Sequence, residues 1–144
     1  MLPLTIESFQ GLFSAHEGIC LSIYMPTRSD PAGAEHNRIH YKDLLKAGEK
    51  RLLERLAPPK VERLLAPLHA LGTPEFWQHQ QQGLGVFASE RQQRHFLLSQ
   101  PTAELVMVSD SFHVRPLLKL MQSNRRYYLL SLSQKHARLY RGTA

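Results

Sequence analysis

The fold class expected from this chain is α+β: a mixed β-sheet covered by helices, followed by an isolated C-terminal β-hairpin. Three observations lead there. A continuous apolar run, Ile19 to Met25, is bounded by Gly18 and Pro26, as in a strand buried within a sheet. From Ala34 to Leu56, Tyr41, Leu44, Leu45, Gly48, Leu52 and Leu56 recur at intervals of three and four, the period of an amphipathic helix. Between residues 84 and 108, three short strand-like segments are separated by polar turns.

Taken in order, Thr5 is positioned to cap a first helix running to about Ala15. Ile6, Phe9 and Phe13 share one face, and Glu7 sits near the positive end of the dipole. Gly18 ends that element and the 19–25 strand follows. Thr27 to Gly33, containing Asp30-Pro31, reads as a loop. The long helix comes next, with Lys42, Lys46, Glu49, Lys50 and Glu54 off its apolar stripe. Pro58-Pro59 is expected to break it. A second helix over about Lys60 to Leu71 presents Val61, Leu64, Leu65 and Leu68, with Pro67 bending it and Gly72 closing it. Thr73-Pro74-Glu75 opens a short turn carrying Phe76 and Trp77, with Pro74 in the favoured first helical position. Trp77 is expected to anchor packing, its indole N–H facing a polar partner. Strands are expected at Leu84 to Ala88, His95 to Leu98 and Glu104 to Val108, the first two as a hairpin turned at Ser89 to Gln92. Leu117, Leu118, Leu120 and Met121 then form a short helix ending near Asn124.

The last stretch, Arg126 to Gly142, alternates Tyr128, Leu130 and Leu132 with Tyr127, Leu129 and Ser131, then places Ala137 and Leu139 against His136, Arg138 and Tyr140. A lone hairpin is marginally stable in water, so this one is read as the opening of a following domain. The expected division is a mixed α/β domain over 1–124 and the start of the next over 125–144. With its edges unpaired, the hairpin is a candidate for homodimer formation.

At 144 residues, 42% of them hydrophobic, the chain suits one soluble globular domain. No run of about 18 apolar residues is present to span a membrane. MLPLTIESFQ lacks a secretion signal, so a cytoplasmic location is expected. Cys20, the single cysteine, lies in the apolar run and reads as a buried small hydrophobe. Charge is unevenly distributed. Residues 1–90 carry nine Lys/Arg against ten Asp/Glu, whereas residues 91–144 carry nine against two. Arg115, Lys119, Arg125, Arg126, Lys135, Arg138 and Arg141 are candidate nucleic-acid contacts, with no acid among them. Such a run is either a solvated or protein-docking face, or an electrostatic footprint for a phosphate backbone.

No complete catalytic constellation is legible. His36 and His40 have the spacing of paired zinc ligands, but no glutamate and no evident third ligand accompany them, so a solvent-facing pair is expected. His79 and His113 are the residues that a small hydrolase would use in a pocket, yet no G-x-S-x-G is present. Gly83-Leu84-Gly85 lacks the third glycine of a dinucleotide loop, and no Walker-type phosphate loop occurs. No enzyme activity, metal or cofactor is expected of these residues.

Three segments, ICLSIYMPTR (19–28), EFWQHQQQGLGVFAS (75–89) and FHVRPLLKLMQSNRRYYLLSLSQKHARLYRG (112–142), together resemble the N-terminal region of bacterial proteins related to the archaeo-eukaryotic peptide chain release factors. The resemblance implies an N-terminal α/β domain, then an RNase-H-like central domain opening with a β-hairpin, matching 126–142. It also implies a C-terminal domain similar to ribosome-associated RNA-binding proteins. The family's peptide-releasing activity depends on a Gly-Gly-Gln loop in the central domain, and no Gly-Gly-Gln occurs here. The implied role is a non-catalytic, translation-associated domain touching the ribosome or RNA through its basic last third. The alternative is a protein-interaction or regulatory scaffold.

Overall fold

A computed structural model describes residues 18–124. The helix expected over Thr5 to Ala15 and the hairpin expected over Arg126 to Gly142, with its proposed dimer, lie outside the described residues.

Strand β1 (Cys20–Pro26) follows Gly18, whose φ of 83° is a left-handed turn that glycine adopts without steric cost. After a single 3-10 turn at Pro31–Gly33 come α1 (Ala34–Leu53), α2 (Pro58–Leu71) and α3 (Pro74–Gln78). Strands β2 (Gly83–Ala88), β3 (Gln93–Leu98) and β4 (Leu105–Ser109) follow, and α4 (Arg115–Asn124) closes the described chain. The strand order is β3-β2-β1-β4. The fold class is the expected α+β, and all three pairings are antiparallel.

β1 is central and covered on both faces, which is why its sequence is continuously apolar. Leu21, Ile23 and Met25 point to one side with Leu84, Val86, Ala88 and Val106, under Tyr41, Leu44, Leu45 and Leu52 of α1 and Val61 to Leu68 of α2. Cys20, Ser22 and Tyr24 point to the other side. There Cys20 and Tyr24 join Phe87, Phe96 and Leu98, covered by Phe112, Leu117 and Leu120. The result is a three-layer arrangement, α1–α3 on one face and α4 on the other.

Pro58 and Pro59 do not simply break the chain; they form the first turn of α2, where a missing N–H costs nothing. Helix α2 also continues through Pro67, because Pro67 and Arg63, whose carbonyl it leaves unpaired, both lie on the exposed side. The turn expected at Thr73-Pro74-Glu75 is α3, capped by Thr73, whose Oγ1 accepts from the Phe76 N–H at 3.1 Å. Trp77 is 3% exposed and packs against Tyr41 and Phe76, at ring-centroid distances of 5.1 and 4.8 Å. Its indole N–H has no hydrogen-bond partner among the described residues, contrary to the sequence expectation, because apolar rings and the α2–α3 turn surround it.

Candidate functional site

The site is built where the chain crosses the end of the sheet. β3 and β4 occupy opposite edges, so residues 99–104 must pass three strand spacings, about 14 Å, within reach of six residues at about 3.3 Å each. The crossing runs directly over Gly83. A Cβ there would stand 2.9 Å from the Gln100 carbonyl oxygen, so only glycine admits the link at this height. On the other side, residues 110–114 return from β4 into α4. Between the 100–103 link and the start of α4 lies an open groove of about 410 Å³. Its helix side presents His113, Arg115, Lys119 and Leu120.

His113 is held by the central strand. Its backbone N–H donates to Ser22 Oγ at 2.9 Å, and its carbonyl accepts from the Tyr24 hydroxyl. Ser22 and Tyr24 are alternate residues on the α4 face of β1, 1% and 0% exposed. Burial pushes the Tyr24 hydroxyl well above the usual tyrosine range, so it remains a donor at every physiological pH. The Tyr24 ring also meets the His113 ring edge-on at 6.2 Å.

Of the seven cations singled out from sequence, Arg115 and Lys119 stand four residues apart on α4, exposed and on the groove wall. Arg125, Arg126, Lys135, Arg138 and Arg141 lie outside the described residues. Among the described residues neither Arg115 nor Lys119 forms an ion pair, whereas Arg38, Arg51 and Arg55 of α1 and its C-terminal turn each have a partner within the fold. Arg38 is bridged to Glu35, which holds that carboxyl below its ordinary value. Arg55 meets Asp110 at 3.1 Å, and Arg51 donates to the Val106 carbonyl on the edge strand β4.

The histidine expectations divide. His36 is exposed, as expected, and His40 is partly exposed. It is bonded to Glu104, the residue before β4, because α1 lies along that edge. The rings of the pair are 6.0 Å apart, and among the described residues no group of three or more His, Cys, Asp or Glu could hold a metal ion. His79 is exposed and does not line the groove. Cys20 is buried, 1% exposed. Among the described residues no acid or thiol lines the groove, so the ionisable side chains on its wall are His113, Arg115 and Lys119. Among the described residues, too, no helix is long and apolar enough to cross a membrane.

Sequence reasoning located the cations but missed the groove and its support. Neither the crossing link over Gly83 nor the use of Ser22 and Tyr24 at His113 has a local signal, since Gln100 lies well along the chain from Gly83 and His113 about 90 residues from Ser22 and Tyr24. One clue was present: Ser22 is the only side chain with a hydroxyl and no apolar bulk inside the 19–25 run. A polar group buried there needs a partner.

No protein-family model matches the chain, and comparison with curated proteins returns no match.

Proposed function

We propose that this chain is a non-catalytic domain of a release-factor-like, translation-associated protein, making ribosome or RNA contacts through its basic last third. The observation that carries the reading is the pairing of Arg115 with Lys119 on an open groove wall that, among the described residues, no carboxylate lines. These two begin a run of seven cations containing no acid. A phosphate backbone is the partner that such a surface attracts most strongly, through released counterions. The three segments resembling the N-terminal region of release-factor-like proteins favour RNA over other polyanions, and the expected cytoplasmic location accords with translation.

Ribosome pelleting and RNA filter binding of the 144-residue chain test the proposal. Binding is expected to fall steeply with salt. Arg115→Gln with Lys119→Gln should reduce the salt slope by about 0.7 for each phosphate of a single-stranded RNA that is no longer neutralised. Pelleting no greater than that of a neutral control protein at low salt would end the RNA reading. A protein-docking scaffold would then be favoured.

A further inference from the structure

The groove has features that a merely cationic RNA-facing surface does not require. Its volume of about 410 Å³ falls at the small end of ligand sites, which run from roughly 300 to 1,000 Å³. A duplex would lie across such a groove rather than enter it. The lining is mixed in chemistry: His113, Arg115 and Lys119 gather on the helix side, and Pro116 and Leu120 of the same helix, with Pro101 on the link, supply apolar surface. His113 is fixed at both backbone groups by side chains from the centre of the sheet. A buried hydroxyl is costly unless paired, and two such hydroxyls are committed to this one residue. Such double anchoring fixes the backbone of His113 where it lines the groove.

Resting on the RNA reading for its choice of ligand class, we infer that the groove binds a single nucleotide unit. Its phosphate is held by Arg115, Lys119 and the His113 ring, and its sugar and base lie against Pro101, Pro116 and Leu120. The guanidinium supplies a planar fork for phosphate oxygens, the ammonium a point charge and the imidazole a directed N–H. Tyr24 and Ser22 are positioning residues, acting only through His113. The unit could arrive as a free nucleoside monophosphate or as part of an RNA strand.

Calorimetric titration of the 144-residue chain tests this with adenosine 5′-monophosphate, inorganic phosphate, adenosine and a six-residue oligoadenylate. The monophosphate is expected to bind at least tenfold more tightly than inorganic phosphate, and adenosine alone not measurably. Arg115→Gln with Lys119→Gln should weaken the monophosphate at least tenfold with an unchanged circular dichroism spectrum. Tyr24→Phe should weaken it about threefold in the parent chain and not further in a His113→Ala background, a pattern that loss of general stability would not produce. The inference is overturned if the monophosphate binds no better than phosphate, if the double Gln variant binds it unchanged, or if Tyr24→Phe acts equally without the His113 ring. The oligonucleotide separates the two proposals. Oligoadenylate binding without monophosphate binding removes the groove site and leaves the RNA reading. Monophosphate binding without oligoadenylate or ribosome binding keeps the groove site, with a free nucleotide as ligand, and removes the RNA reading.

Discussion

The two faces of the sheet bury side chains in similar depth but of different chemistry. Under α1 and α2 the packing is chiefly aliphatic, Leu, Ile, Val and Met, closed by Trp77 and Tyr41. Toward α4 it is aromatic: Phe87 meets Tyr24, Phe96 and Phe112 edge-on at 5.5, 5.9 and 5.7 Å. That side also carries Ser22 and the Tyr24 hydroxyl. Cations differ in the same sense. On the α1 side Arg38, Arg51 and Arg55 are bound within the fold, and Arg51 also shields the β4 edge. On the α4 side Arg115 and Lys119 face the groove. The first face thus combines an aliphatic core with arginines bound to the fold, and the second an aromatic core with two cations on an open groove.

The largest effect that would undo this contrast is a core deletion on the helical side. Trp77→Ala should cost about 3–5 kcal/mol and unfold the described domain, measured as a shift in urea midpoint. A stable Trp77→Ala chain with only its RNA affinity abolished would move the binding surface to α3. Next is Tyr24→Phe, which keeps the ring and removes the donor to the His113 carbonyl. It should cost about 1 kcal/mol, and hydrogen exchange should rise in the 110–114 return and α4 rather than in α1. Uniform loosening across both faces would show that they are not separable.

A third test uses pH. His95 lies on the α1–α3 face, its ring 5.5 Å from that of Phe76, and burial lowers its imidazole below the ordinary value. The unfolded chain therefore takes up this proton at higher pH than the folded one. The stability contributed is complete above the unfolded value of about 6.5, and declines as pH falls through it toward the lower folded value. His95→Gln should reduce the difference in urea midpoint between about pH 7.5 and about pH 5.5. An unchanged difference would place the acid sensitivity elsewhere.

The smallest expected effects compare the two sets of cations directly. Arg51→Gln should cost about 0.5–1 kcal/mol by freeing the β4 carbonyl, whereas Arg115→Gln with Lys119→Gln should stay within about 0.5 kcal/mol. Equal destabilisation would mean that the α4 cations are also structural.

Within residues 18–124 the order of helices and strands was legible in local pattern alone. Periodicity and capping act over a few residues: the stripe from Tyr41 to Leu52 requires one buried helix face, and Thr73 caps α3 within three residues. The unbroken apolar run of β1 likewise required cover on both faces. Locality also explains where this reasoning ended. Pro58-Pro59 signalled a boundary, but whether prolines end one helix or begin the next depends on the direction in which the following turn packs. Asn37 looked like one more polar residue at the start of α1. In the fold it is 0% exposed, and its amide pairs with both the N–H and the C=O of Arg28, at 3.0 and 2.9 Å, fixing the loop after β1. The clustering of charge in the last third could be read directly from the chain. That two of those cations share a wall with His113, opposite a link crossing over Gly83, could not. Strand order brings residues 22, 83, 100 and 113 together, and no local propensity encodes the order in which distant strands pair.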